Sequence, residues 1–419
     1  MFQLSLIHNI QNKSALQIAL LDKIINNFPS SLYADDALYA KGNAYLIKND
    51  KDNASFAFEQ LIRKYPNSST ANKAMLKLGL IAYAQNNNAK ALQYYEEVFR
   101  SYPQSEEGSD ALAALKEIYI ESGNPDGYFQ FINSVQGFEI DELEKDSLMY
   151  QSAQRQFDNG DWELAVASYS SYLTKFPTGI HSLQAHFNRG ESFFDLKRYE
   201  EALLDYAYIS DNGNQSFAEI ANHRAANICY FSTQNFGEAL RFYLRLEKVA
   251  SSADMLFESQ QFGMRSSFYA GQLDSLPTIA ERFMNNERAT TQDHAEANYF
   301  IGKSRLAQQQ YAAALTAFNK NIELSGDDVR SAESRYWRAY IAYENRDLDK
   351  AMDLCFQNNK EIPAHPYWLV KSFILLADIY AEKGNLFQAK ATLQSIVANY
   401  KGDQELMDEA SQKLKLVKE

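Results

Sequence analysis

The stretch GNAYLIKNDKDNASFAFEQLIRKYPNS, Gly42 to Ser68, decides the fold. Ala54, Phe58 and Leu61 are spaced four and then three residues apart, which lines them along one stripe of an α-helix, with the alanine where a neighbouring helix must come close. Tyr65-Pro66 ends that helix, because proline disfavours helical geometry in the residue before it, and the small polar residue that follows, Asn67, is expected to cap the next helix. Gly42 lies twelve residues before the alanine on a preceding helix, and a residue that small lets two helices pack near the short end of the ~8–10 Å range. The stretch therefore encodes one helical hairpin.

The hairpin recurs every 37 residues. Ala91, Tyr95, Val98 and Pro103 repeat the pattern of Ala54, Phe58, Leu61 and Pro66, and Ala165, Tyr169, Tyr172 and Pro177 repeat it again two periods on. Further steps of 37 give Ala202, Ala239 and Leu276, and after single-residue insertions Ala314, Ala351 and Ala389. Pro29 extends the proline series backwards, and Phe28, Tyr65, Tyr102 and Phe176 precede the four prolines. Small residues occupy the Gly42 place at Gly79, Ala153, Gly190, Gly302, Ala339 and Ala377. Polar turns such as Asn86-Asn87-Asn88, Asn159-Gly160-Asp161, Asn345-Arg346-Asp347 and Gly384-Asn385 separate the two helices, with Gly or Asn suited to a left-handed cap. A fixed period of this length is the signature of a repeat array.

Composition agrees. The 419 residues hold only 8 prolines and 17 glycines, too few for a sandwich or barrel of many tight turns, while 46% apolar residues supply ample core. A formal charge of −13 with no basic run argues against a nucleic-acid polyanion as the main partner. The longest apolar runs, such as Phe373-Ile374-Leu375-Leu376-Ala377, fall far short of the ~20 residues of a membrane helix. Cys229 and Cys355 are expected to be separate core residues, several repeats apart, and make no disulfide framework.

The set Gly42, Tyr45, Ala54, Phe58 and Pro66 resembles the tetratricopeptide repeat at all five of its marker positions, and Gly190, Phe193, Ala202 and Tyr206 match four. The resemblance implies an all-α, right-handed solenoid of about eleven helical hairpins, divided as a truncated first repeat (1–34), N-terminal units (35–145), central units (146–256), a degenerate unit (257–294), C-terminal units (295–402) and a capping helix (403–419). Tyr128 in the third full unit and Leu276-Pro277 in the seventh replace the key alanine, and Cys355 takes an aromatic position, so these units are expected to pack less regularly. The aromatic-Pro joints, as in Tyr65-Pro66-Asn67-Ser68 and Tyr102-Pro103-Gln104-Ser105, are similar to those of bacterial cell-envelope repeat proteins, the outer-membrane assembly lipoproteins and Tol-associated periplasmic factors. That likeness implies a periplasmic or outer-membrane-associated setting, with any membrane anchor in a part upstream of Met1; a chain complete as it stands would be cytoplasmic.

No GxGxxG, GxxxxGK[ST], HExxH or GxSxG occurs, so nucleotide, zinc-protease and hydrolase readings lose their entry points, and no cofactor or metal is expected. The resemblance instead implies a concave groove lined by first helices at repeat positions 2, 5, 9, 12 and 13. Position 5 gives Tyr39, Tyr150, Phe187, Tyr299 and Tyr336; position 12 gives Tyr83, Phe157, Phe194, Phe231, Phe268 and Tyr343; Asn43 and Tyr340 join them at position 9. Arg224, Arg265 and Lys303, in three consecutive units, are expected to form a basic patch. The implied function is a non-enzymatic scaffold that holds a protein or peptide in an aromatic groove. The alternative is a module that stacks cell-wall glycan on the same rings, and a third reading, catalysis by Glu191 or Asp195 beside Phe194, demands an acid of raised pKa.

Overall fold

The computed structural model describes residues 1–417, and every regular element among the described residues is helical. The chain divides into two compact units, Met1–Arg198 and Tyr199–Glu419. The first holds α1 (Phe2–Ile10), α2 (Ser14–Asn27), α3 (Ala34–Ile47), α4 (Lys51–Lys64), α5 (Ala71–Ala84), α6 (Asn88–Ser101), α7 (Glu106–Glu121), α8 (Pro125–Asn133), α9 (Glu142–Asp158), α10 (Trp162–Lys175) and α11 (Ser182–Asp195). The second holds α12 (Tyr199–Asn212), α13 (Gln215–Asn227), α14 (Phe236–Val249), α15 (Ala253–Tyr269), α16 (Leu276–Met284), α17 (Thr291–Ala307), α18 (Tyr311–Ser325), α19 (Val329–Glu344), α20 (Leu348–Glu361), α21 (Pro366–Glu382), α22 (Leu386–Asn399) and α23 (Gln404–Leu416). Of the expected capping segment, α23 is the helix, and residues 418–419 lie outside the described residues.

Within each unit every helix packs on the next, and first helices also touch one repeat on, as α5 on α7, α7 on α9, α15 on α17 and α17 on α19. Two devices set the hairpin. At the top, a residue of positive φ recurs at Asn12, Asn49, Asn86, Gly123, Gly160, Lys197, Gln234, Gly271, Gln309, Arg346 and Gly384, so the 37-residue period and both single insertions are written in the backbone. The following N–H reaches back across the turn, from Asp50 to Tyr45 O and from Asn87 to Ala82 O at 2.9 Å each, the Schellman closure of a helix C-terminus. That same residue then opens the second helix where its side chain caps, as Asp50, Asn87, Asn124, Asn235, Asp347 and Asn385 do.

Midway down, small residues let an aromatic ring of the second helix lie against the first. A Cβ at Gly79 would sit 2.5 Å from the Tyr95 ring, and one at Gly302 2.6 Å from the Phe318 ring. Ala54, Ala91, Ala165, Ala202, Ala239, Ala314, Ala351 and Ala389 are all completely buried. Two of the three units expected to be irregular are short: α8 and α16 run nine residues where the other second helices run 14 or 15, whereas the Cys355 unit keeps a 14-residue α20 with Ala351 and Cys355 both buried. Each short helix carries proline in its first turn, and bulky Tyr128 and Leu276 replace the alanine in its buried place.

One expectation about the joints is corrected. The residues just after the prolines do not cap the next helices: α3, α5 and α11 begin at Tyr33, Thr70 and His181 without a side-chain cap, and only Ser105, two residues past Pro103, receives a helix N–H. The joint closes through its aromatic instead, whose N–H bonds back four residues, as from Tyr65 to Leu61 O at 2.8 Å, while Tyr65 Oη donates to Pro29 O at 2.6 Å and so ties two joints together. Both cysteines are buried and free, and burial pushes their thiols up to about 11 at Cys229 and about 12 at Cys355.

Candidate functional site

Repeat positions 5, 9 and 12 fall on one stripe of each first helix. Of the sixteen residues expected to line the groove, Tyr39, Asn43, Tyr83, Tyr150, Phe157, Phe187, Phe194, Arg224, Arg265, Phe268, Tyr299, Lys303, Tyr340 and Tyr343 are half-buried, Tyr336 is buried, and Phe231 is exposed. For Tyr83, Tyr299, Tyr343, Arg265 and Lys303 the half-burial has a common cause, a bond to the next repeat, whereas Tyr150 Oη donates within its own helix to Gln154 at 2.8 Å. Tyr83 Oη donates to Glu121 at 2.6 Å, and Tyr343 Oη donates to Glu382, in each case a position-12 hydroxyl meeting a position-13 carboxylate one repeat on. The Glu121 bond, then burial, raises the Tyr83 phenol above its ordinary pKa; burial and then the Glu382 bond do the same for Tyr343, so both are neutral donors.

The expected cations follow a parallel rule. Arg265 bonds Glu296 through Nε at 3.2 Å and Nη2 at 2.8 Å, and Lys303 Nζ bonds Glu333 at 2.6 Å, so two position-9 cations meet position-2 carboxylates of the following repeat. Glu296 is 4% exposed and also takes Arg330 at 2.7 Å. Glu333 further accepts Tyr299 Oη and Trp337 Nε1, both at 2.8 Å, while the Lys303 ammonium sits 4.8 Å from the Trp337 ring centroid. The basic patch is thus not three open charges, since Arg265 and Lys303 are held by carboxylates of the chain itself. Within this network three cations face two carboxylates.

A continuous run of rings lies beside it. Phe231–Phe262 centroids are 5.3 Å apart, Tyr230–Phe262 5.0 Å, Tyr230–Phe236 5.4 Å, Phe236–Tyr269 5.1 Å and Phe268–Phe300 4.8 Å, with Arg265 5.0 Å from the Phe262 centroid. Two of these rings face water: Phe231 is 59% and Tyr269 51% exposed. Phe231 is turned out by a π-helical turn, Ile228–Ser232, that continues α13, in which Thr233 N bonds Ile228 O at 3.0 Å. Such single wide turns recur at functional sites. Sequence reading placed Phe231 but missed this turn, Tyr269, Arg330 and both glutamates. An acid at position 2 following a cation at position 9 was the available signal for the glutamates.

Profiles of the tetratricopeptide repeat match residues 34–106, 150–216 and 299–356, and a second profile of the same repeat matches 372–403, together more than half of the chain. The chain is a tetratricopeptide-repeat protein. Among solved structures this repeat protein is similar to Naa15/Naa10 bound to HypK-THB, with 14% identity over 99% of this chain and 73% of that one and a TM-score of 0.39. It is similar to YrrB, described as having an unusual peptide-binding site, with 18% identity over 49% and 97% and a TM-score of 0.36, and to yeast Tom70, with 11% over 99% and 94% and a TM-score of 0.36. A search of curated proteins gives no match. Among the described residues no helix is long and apolar enough to cross a membrane, and no three or more His, Cys, Asp or Glu gather as metal ligands.

Proposed function

We propose that this tetratricopeptide-repeat protein is a non-enzymatic scaffold whose second unit takes a partner chain along the first-helix face of α13, α15, α17 and α19. The observation that carries the reading is Phe231, an apolar ring presented to water by a wide helical turn at the end of a continuous aromatic run. Beside it Tyr269 offers a second open ring, and the surplus cation of the Arg265–Glu296–Arg330 and Lys303–Glu333 network favours an acidic residue in the same partner. Aromatic and arginine side chains in such settings are the usual centres of binding energy, and an extended peptide or an amphipathic helix supplies matching apolar anchors. The setting we propose, a bacterial periplasm or outer-membrane surface, rests on the aromatic-Pro joints and on them alone.

The test is a paired substitution. Phe231→Ala with Tyr269→Ala should reduce at least ~10-fold the yield of proteins that co-purify with the chain, quantified by mass spectrometry, with the melting temperature held within a degree because both rings are exposed. Leu164→Ala, an exposed position on α10, serves as control. An unchanged set of partners in the double variant would remove this face from the function.

A further inference from the structure

Between second helices of successive repeats run clefts floored by the first helix between them. In the cleft of α14 and α16, Arg282 and Glu247 close on each other with two bonds of 2.8 Å. Although burial raises the Glu247 carboxyl, the Arg282 and Gln260 hydrogen bonds outweigh it and hold the pKa low. In the cleft of α20 and α22, the floor is apolar around Leu376, and a cavity of about 570 Å³ remains. The cleft of α18 and α20 differs from both. Its floor is Arg338, one repeat before Leu376, and it encloses about 290 Å³ lined by Leu315 and Asn319 of α18 and by Asp347, Lys350 and Leu354 at and along α20.

Arg338 is poorly satisfied there. Its Nε is buried without a partner, and its Nη2 has one long bond, 3.4 Å to Gln357 Oε1. Glu361, whose charge acts on Arg338, is already engaged on both oxygens, taking Gln357 Nε2 at 2.6 Å on one and Arg335 Nε at 3.2 Å on the other. Asp347 turns an oxygen to the Lys350 backbone as the cap of α20. Two arginines therefore share one carboxylate. Burial first, and then the neighbouring Arg335 charge, holds the Arg338 guanidinium below its ordinary pKa, which an anion in the cleft would reverse. The cleft is just under the ~300 Å³ at which small-molecule sites begin, so it suits the end of one side chain or one chain terminus.

We propose that the α18–α20 cleft is an acceptor site for a partner chain's carboxylate, with Arg338 as its cationic floor and Leu315 and Leu354 flanking the aliphatic stem. The site is separate from the aromatic face: at 100° per residue, Arg338 points about 200° around α19 from Tyr336. A guanidinium that lines the cleft, with its Nε unpartnered and one long bond of 3.4 Å at Nη2, supplies the planar fork that carboxylates fit.

The experiment uses the full chain and three probes: N-acetyl-Leu-Glu-amide for an acidic side chain, N-acetyl-Leu-Leu free acid for a chain terminus, and N-acetyl-Leu-Gln-amide as the neutral match. Binding is followed on the Arg338 Nε–H resonance, assigned with Arg338→Leu. At least one acid should shift that resonance and bind at least ~10-fold more tightly than the neutral probe; which acid does so tells side chain from terminus. Arg338→Leu should abolish the binding and raise the melting temperature by about 2 °C, since it removes a charge that the chain leaves unpaired. Arg338→Lys should keep weakened binding. A resonance unmoved by either acid, equal binding of the neutral probe, or binding retained in Arg338→Leu would each overturn the proposal. A fall in melting temperature for Arg338→Leu would also overturn it, because the guanidinium would then be supporting the fold.

Discussion

Glu296 and Arg338 are charges on the first helices of neighbouring repeats, both drawn largely out of water, and they are settled in opposite ways. Glu296 is 4% exposed and fully answered, by Arg265 of the repeat before and Arg330 of the repeat after. Arg338 keeps a buried Nε without a partner, although Glu361 lies close by. Removing one member of a buried pair strands the other, whereas replacing an unanswered charge by an apolar group of similar bulk is neutral or favourable. A charge bridged from repeat to repeat belongs to the architecture, and one left open marks a place for something outside the chain.

The largest effect should come from the answered side. Glu296→Ala leaves two arginines facing each other and should cost ~3–5 kcal/mol in urea unfolding, and a loss under 1 kcal/mol would mean that the network contributes little. It also follows that Arg265→Glu, which sets a second acid against Glu296, is a stability variant rather than a surface change.

Glycine separates packing from charge in the same helices. Gly302→Ala meets the Phe318 ring and should cost ~1–3 kcal/mol by overpacking, whereas Gly263→Ala in the degenerate repeat has its nearest neighbour at 3.7 Å and should be neutral or stabilising. Equal shifts for the two would show that the regular and irregular repeats are not packed differently. A smaller gain is expected at the turn before α18: Gln309 holds φ 59°, and Gln309→Gly should stabilise by ~0.5–1 kcal/mol on thermal melting. The smallest effect is at the open ring, where Phe231→Ala should change stability by no more than ~0.5 kcal/mol; a larger loss would place Phe231 in the core.

The fold was legible because its determinants are local and repeated. Ala54, Phe58 and Pro66 report one hairpin, and the insertions before Ala314 and Ala389 reappear as one-residue steps in the left-handed turn series. Asn86, Gly160 and Gly384 announced that turn, but Lys197, Gln234, Gln309 and Arg346 did not, since the hydrogen bonds closing the turn impose positive φ on whatever residue stands there. On the first-helix stripe, the positions of Arg265 and Lys303 were legible and their pairing was not. Position alone brings Arg265 and Lys303 to it, whereas their neutralisation depends on Glu296 and Glu333, 31 and 30 residues away. The turn that exposes Phe231 left no mark on the period, because the left-handed residues on either side of it, Lys197 and Gln234, remain 37 apart.

Position-resolved photocross-linking tests the central claim, that a partner chain lies along the aromatic face of the second unit. The photoreactive p-benzoylphenylalanine is placed singly at Phe231, Tyr269, Leu164 and Leu204, all exposed, the last two on second helices. The account predicts a common partner adduct from Phe231 and Tyr269 and none from Leu164 or Leu204. Adducts confined to Leu164 and Leu204, with none at the two rings, would contradict it.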